Sequence, residues 1–144
     1  MANRHQAREM AFQLVYEWSL NDKAFYDEKR MSEYWTDRSK EDEENNPFYQ
    51  RVLKGVAEYL PQIDSKIESL LENWSMKRLD RVDLAVLRLA IFELCFDTDA
   101  DRPDDAVIMN EAIELAKRFG GKDSPSFVNG VLDKVAKKNF ETVS

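Results

Sequence analysis

The segment at residues 81–96, RVDLAVLRLAIFELCF, constrains the fold more than any other part of the chain. Apolar residues occupy almost every position, and after the first residue, Arg81, the charged exceptions are Asp83, Arg88 and Glu93. A helix that is apolar on all sides belongs inside a protein, with other helices packed around it. Because an unpaired buried charge is costly, Arg88 and Glu93 must reach a partner or an edge. The segment therefore predicts the central helix of a bundle.

Helical periodicity also dominates the rest of the sequence, and no segment has the convincing alternation of a β-strand. Asn3 and Gln6 have the spacing of a capping box at the start of a first helix. Asn46 and Pro47 mark the start of a second strongly periodic helix, which Pro61 should bend or split. The sequence predicts an all-α helical bundle, and its expected core includes Leu87, Ile91, Leu94, Leu115 and Val131.

Two features depart from the regular helical pattern, an acidic segment and a glycine. Residues 21–46 are acidic and predict an irregular connecting segment, although the stretch AFYDEKRMSEYW favours a helix that rests several apolar side chains on the body: Phe25, Met31, Tyr34 and Trp35. Gly130 lies inside the last predicted helix, where glycine costs about 1 kcal/mol relative to alanine. We expect it to permit the close approach of another helix.

Length and charge limit the classes of function. A chain of 144 residues with 43% hydrophobic residues suits one domain over residues 1–144. No run of about eighteen apolar residues is present, and the N-terminus lacks the pattern of a signal peptide, so we expect a cytoplasmic protein. The formal net charge of −7 argues against binding nucleic acid through bulk positive charge, but it permits a local basic patch.

The residues of catalysis are scarce. The chain has one histidine, His5, and one cysteine, Cys95, which cannot together supply a zinc cluster. The glycines include no loop with the spacing that cradles phosphates in nucleotide-binding proteins. The sequence predicts neither an enzyme nor a metal or cofactor site.

Two long strings resemble a known family in both order and spacing. RLDRVDLAVLRLAIFEL, followed by VIMNEAIELAKRFGGKDSPSFVNGVLDKVAKK, is similar to the carboxy-terminal half of the NusB family of bacterial transcription antitermination factors. RHQAREMAFQLVYEW resembles the opening helix of that family. The resemblance covers residues 4–138 and leaves residues 21–46 unmatched.

The resemblance implies a fold and a function. The fold is a bundle of six to seven helices, arranged as two packed three-helix subbundles. The function is recognition of the boxA element of nascent RNA together with NusE, a small-subunit ribosomal protein, in an elongating RNA polymerase complex. The alternative is a protein adaptor with this fold and little RNA binding, because the basic N-terminus, MANRHQAR, is short.

Within that interpretation, the turn GGKDSPSF predicts one part of the RNA-binding surface. Ser124 as N-cap and Pro125 in the first turn begin a helix whose positive dipole end suits an RNA phosphate, with Lys122 alongside. Asp123 lies beside the same position and should weaken binding. Phe127 either stacks on an unpaired base or inserts into the core near Phe119. The spacing alone favours the core, whereas the resemblance favours RNA.

The first helix predicts the other part. Arg4, Arg8, Phe12 and Tyr16 recur every four residues, which places alternating cations and aromatic rings along one edge that we expect to be exposed. The alternative is that both rings pack under the acidic segment. The resemblance further implies that Asp83, at the expected exposed start of the central helix, faces NusE; capping of that helix is an equal alternative.

Overall fold

The computed structural model describes residues 3–20, 27–39, 46–72 and 75–143. Seven α-helices lie in these ranges, and no β-strand occurs among them. The helices are α1 (Arg4–Leu20), α2 (Glu28–Ser39), α3 (Pro47–Glu58), α4 (Leu60–Leu70), α5 (Arg81–Ile91), α6 (Asp105–Phe119) and α7 (Ser124–Val143). The prediction of an all-α bundle is confirmed.

The helix starts follow the predicted local signals. At α1, the Gln6 amide donates to Asn3 Oδ1 at 2.8 Å while the Asn3 amide donates to Gln6 Oε1 at 3.0 Å, which completes the capping box. At α3, Asn46 Oδ1 accepts from the Tyr49 amide at 3.2 Å. The break near Pro61 also occurs, since α3 ends one residue before Tyr59 and α4 begins one residue after it.

The helices form two subbundles. In the first, α1 packs on α3, and α2 rests on both through side-chain contacts. The Trp35 and Tyr49 rings lie 4.7 Å apart between α2 and α3, and Arg30 pairs with Glu17 of α1 at 3.0 Å. In the second, α5, α6 and α7 each pack on the other two. Because α5 also packs on α1 and α4, it connects the two subbundles.

The central position of α5 matches its sequence. Nine of its residues, from Asp83 to Ile91, are buried. Arg88 meets the requirement for a partner: its guanidinium donates to both carboxylate oxygens of Asp64 at 2.9 Å and to Ser19 Oγ at 2.9 Å. The five expected core residues are all buried: Leu87, Ile91, Leu94, Leu115 and Val131.

The predicted central helix changes form at its end. Residues Phe92–Phe96 form a π-helical turn, closed by a hydrogen bond of 3.0 Å from the Asp97 amide to the Phe92 carbonyl. The close helix contact expected at Gly130 is wrong, because a Cβ there would meet nothing within 4 Å. The close approach occurs at Gly55 instead, where a Cβ would lie 2.1 Å from the Phe92 ring. Gly55 therefore lets α3 pack on the π-turn.

The prediction of an irregular segment at residues 21–46 is wrong for its middle. The twelve-residue helix α2 lies there and buries Met31, Tyr34 and Trp35, as the helical alternative expected. Phe25 lies outside the described residues. Within the described ranges, no helix has the length and apolar character needed to cross a membrane.

Candidate functional site

A cavity of about 430 Å³ lies between the start of α5 and the connection from α6 to α7. We call residues 120–127 of this connection the α6–α7 corner. The cavity brings together four of the predicted RNA-binding residues and the predicted partner residue. Its lining consists of Arg78, Leu79, Asp80, Asp83, Gly121, Lys122, Asp123, Ser124 and Phe127.

Local hydrogen bonds build the corner. The Gly120 amide donates to the Ala116 carbonyl at 2.9 Å and ends α6. The Phe127 amide donates to the Asp123 carbonyl at 3.0 Å, which is the first bond of α7. Asp123 therefore has the backbone role of the N-cap that was predicted for Ser124, and α7 begins at Ser124, one residue earlier than predicted.

Ser124 is a buried link inside the corner. Its side chain belongs to a residue that is only 5% exposed, and its Oγ accepts from the Gly121 amide at 3.0 Å. Ser124 lines the cavity together with Asp83 of α5. Its hydroxyl therefore ties the start of α7 to the turn before it.

Asp83 is not at an exposed position, so that part of the prediction is wrong. It is 8% exposed because α7 packs on α5, and Ser124 at the start of α7 lines the same cavity. Burial raises the pKa of the Asp83 carboxyl; the neighbouring Ser124 hydroxyl opposes this rise in pKa, and the charge of Asp80 adds to it. Asp80 is the exposed acid and the actual cap, since its Oδ1 accepts from the Val82 amide at 2.8 Å.

The sequence allowed two positions for Phe127, exposed for stacking on a base or inserted into the core, and the structure places it between them. It packs partly against the core, yet it also lines the cavity. Lys122 and Asp123 are exposed at the same corner. The corner therefore presents a half-buried aromatic ring, a cation and an anion next to one another at the start of α7.

The exposed edge expected on α1 is wrong at Arg8 and Phe12, which are both 2% exposed. The physical reason is the packing of α1 on α5, which brings Glu93 against Arg8. Arg8 donates two hydrogen bonds to the Glu93 carboxylate, at 3.0 and 2.8 Å. Phe12 packs on Phe119 with ring centroids 5.0 Å apart. These two side chains are core residues.

Arg4 and Tyr16 remain accessible but lie far apart. Arg4 is exposed and donates to the Asp101 carbonyl at 3.0 Å. Tyr16 is partly buried, and its ring stacks 6.3 Å from that of Phe12. Twelve residues of α-helix separate them by about 18 Å. Tyr16 is connected to the corner through Phe12 and Phe119, whereas Arg4 lies toward the other end of α1.

One wall of the cavity was not predicted from the sequence. Arg78 and Leu79 come from the short 3₁₀ turn Met76–Arg78 and the residue after it, and Asp80 follows them. These residues line the cavity because the chain before α5 packs near the α6–α7 corner, about forty residues later in the sequence. The local sequence carries no signal for this packing. In the described part of the chain, no three His, Cys, Asp or Glu side chains are grouped to hold a metal ion.

Comparison with known proteins gives the family. The model of the NusB family matches residues 5–137. This chain belongs to the NusB family. The transcription antitermination protein NusB of a Nitratiruptor species is 41% identical over 138 residues, which cover 96% of this chain and 94% of that protein.

Solved structures agree with this assignment. T. maritima NusB is similar with a TM-score of 0.77 and 33% identity, and the match covers 94% of this chain and 92% of that one. A crystal structure of antitermination factors NusB and NusE in complex with dsRNA contains a chain with a TM-score of 0.78 and 25% identity, covering 94% of this chain and 96% of that one. The family is one of transcription antitermination proteins, in agreement with the prediction that the chain is not an enzyme.

Proposed function

We propose that this chain is a transcription antitermination factor that binds boxA RNA together with NusE in an elongating RNA polymerase complex, and that it acts in the cytoplasm. The family assignment supports antitermination. The similar chain in the complex of NusB, NusE and dsRNA supports binding to both RNA and NusE. The observation that carries the proposal is the common cavity lined by Lys122, Ser124 and Phe127.

The α6–α7 corner has the chemistry that single-stranded RNA needs. Phe127 offers part of its ring for stacking on an unpaired base, an interaction tolerant of base identity. Lys122 is exposed beside it and can pair with a phosphate. The positive end of the α7 dipole points into the same space. These three features lie at one place, so one nucleotide can contact all of them.

Only some of the predicted residues of α1 can contribute to the proposed RNA surface. Tyr16 extends the aromatic surface that begins at the corner, and Arg4 is an outlying phosphate contact near the start of α1. Arg8 and Phe12 lie in the core and are not part of this surface, because their burial prevents contact with a nucleotide. The RNA path therefore centres on the corner and passes along α1 only where side chains are accessible.

The acidic wall of the cavity is proposed to face NusE. Asp80 is exposed, and Asp83 lies behind it at the start of α5. A basic ribosomal protein suits such a wall, since complementary charge favours association and orients the partner. In this arrangement the partner and the RNA approach neighbouring walls of a single cavity.

The burial of Arg8 supports the second candidate function, a protein adaptor with little RNA binding of its own. It removes one cation from the proposed RNA surface, in a chain whose formal net charge is −7. The two functions differ in the affinity of the isolated chain for RNA.

A titration with boxA RNA, with and without purified NusE, tests the proposal. We expect weak binding by the isolated chain and clear tightening by NusE, whose basic surface adds phosphate contacts. Linkage requires that RNA tighten NusE binding by the same factor. A scrambled RNA of equal length is the control. Binding of NusE with no boxA affinity in either titration would establish the adaptor function instead.

A further inference from the structure

The cavity contains a second exposed cation besides Lys122. Arg78 lines the wall formed by the chain before α5, whereas Lys122 lines the α6–α7 corner. Both residues are exposed. Because the cavity has a volume of only about 430 Å³, an RNA backbone that lies in it passes close to both cations. Phe127 supplies an aromatic ring to the same cavity.

Arg78 differs from Arg81, three residues later, in what its guanidinium contacts. Arg81 donates hydrogen bonds of between 2.7 and 3.2 Å to three carbonyls of the 3₁₀ turn and its end, those of Met76, Lys77 and Leu79. The Arg78 side chain forms no hydrogen bond or ion pair with any residue that the structure describes. Arg81 therefore holds the turn together, and Arg78 is the cation that the turn presents.

The turn that carries Arg78 is fixed to the rest of the protein. The Arg78 amide donates to the Ser75 carbonyl at 3.0 Å, and the Leu79 amide donates to the Met76 carbonyl at 3.2 Å. Leu79, the next residue after Arg78, is buried with 7% exposed. A binding group on a rigid segment loses less conformational freedom when a ligand binds. Arg78 is therefore held at a defined place on the edge of the cavity.

The acidic residues of the same wall do not neutralise Arg78. Asp80 caps α5, where its Oδ1 accepts from the Val82 amide at 2.8 Å, and Asp83 is buried. Neither forms an ion pair with Arg78 in the described ranges. A guanidinium offers two parallel N–H donors, a geometry that matches a phosphate. Arg78 is therefore available to an anionic ligand from outside the protein.

We infer that Arg78 binds a phosphate of boxA RNA, so that the RNA backbone contacts Arg78 and Lys122 in one cavity while a base stacks on Phe127. The inference rests on the proposed function and adds to it a residue from a separate segment of the chain. The charge of Arg78 favours RNA over the basic partner NusE, because like charges across an interface repel each other.

Titration of boxA RNA into the complex of this chain with NusE, at several salt concentrations, tests the inference. Arg78→Ala should weaken binding about fivefold, the scale of one exposed ion pair. It should also make the plot of log affinity against log salt shallower by about 0.7, the slope for one phosphate contact with a single strand. Arg78→Lys should keep the slope, because its ammonium still pairs with a phosphate. Circular dichroism checks that each variant is folded.

Lys77→Ala is the matched control. Lys77 precedes Arg78 in the same turn and is exposed, but it lies outside the cavity lining. Its substitution changes the net charge of the protein by the same amount, yet it should leave the RNA affinity and the salt slope almost unchanged. Equal effects of Lys77→Ala and Arg78→Ala would overturn the inference, because RNA would then respond to the charge of the whole turn.

A second titration, of NusE into this chain without RNA, distinguishes RNA from the partner protein. Arg78→Ala should not weaken NusE binding. Weaker NusE binding by Arg78→Ala, with the RNA affinity of the assembled complex unchanged, would assign Arg78 to the partner interface and overturn the inference.

The outcomes also separate this inference from the proposed function. If Phe127→Ala weakens boxA binding and folded Arg78→Ala does not, the proposed function stands while the inference fails. A wild-type chain that binds no boxA RNA even with NusE overturns both.

Discussion

The middle of α1 and the α6–α7 corner look alike in sequence and differ in the structure. Each places a cation near an aromatic residue: Arg8 with Phe12 in α1, and Lys122 with Phe127 at the corner. In α1 both side chains are buried, whereas Lys122 is exposed and Phe127 lines a cavity. The same residue types therefore serve a core in one region and a binding surface in the other.

The difference comes from what the rest of the fold places opposite each pair. Glu93 comes from the π-turn after α5 and meets Arg8, so the charge is neutralised inside the protein. Among the residues that the structure describes, no acidic side chain forms an ion pair with Lys122. A cation next to an aromatic ring thus indicates a ligand surface only when the fold leaves the cation without an internal partner.

The largest expected effect tests the buried pair in α1. Arg8→Ala should reduce the free energy of unfolding by about 3–5 kcal/mol, because it leaves the Glu93 carboxylate buried without its partner. Urea unfolding followed by circular dichroism measures the change. Arg4→Ala is the matched control: the same substitution at an exposed position of the same helix should change stability by about 0.5 kcal/mol or less.

The RNA affinity of the folded Arg8→Ala protein sharpens the comparison. It should remain near that of the wild type, because Arg8 has no access to a nucleotide. Adding Glu93→Ala should recover part of the lost stability by removing the unpaired charge. A stable Arg8→Ala protein with weakened RNA binding would show instead that the middle of α1 belongs to the RNA-binding surface.

Local signals in the sequence predicted the helix boundaries and the central helix correctly. Asn46 and Asn3 begin helices as predicted, and Pro61 marks a break. The apolar character of α5 identified the centre of the bundle, since no other position can hide such a helix. The fold class and the family followed from these signals and from the resemblance.

Side chains whose surroundings depend on a distant segment of the chain could not be placed from the sequence. Glu93 was recognised as a charge that needs a partner, and Arg8 was available, but their pairing depends on how α1 packs on α5. Gly55 and Gly130 are both helical glycines, and only tertiary packing shows that Gly55 faces the Phe92 ring. Asp83 was placed at the surface because the position of α7 over α5 has no local signal.

A smaller effect is expected at the corner. Phe127→Ala should weaken boxA RNA binding by about 1–3 kcal/mol, the cost of losing one base stacked on an aromatic ring. Fluorescence anisotropy with labelled boxA RNA measures this change. Phe12→Leu is the control, since it also removes an aromatic ring but from the core, and its folded form should bind RNA normally. If Phe127→Ala only destabilises the fold, Phe127 belongs to the core like Phe12.

The smallest expected effect concerns the anion at the corner. Asp123 is exposed beside Lys122, so its carboxylate repels the phosphate that Lys122 and the start of α7 attract. Asp123→Asn should strengthen boxA binding by about two- to fivefold, the scale of an exposed charge interaction, and the gain should shrink as salt is added. The sign is opposite to that of Phe127→Ala, so a general loss of structure cannot produce both results.

A second aspartate on α7 gives the matched control for that last substitution. Asp133 is also exposed, and ten residues of helix place it about 15 Å from Asp123, beyond the Debye length of about 8 Å at physiological salt. Asp133→Asn changes the net charge by the same amount, yet it should leave boxA affinity almost unchanged. Equal strengthening by both substitutions would mean that RNA responds to the total charge of the protein, and the corner would then have no special role in holding a phosphate.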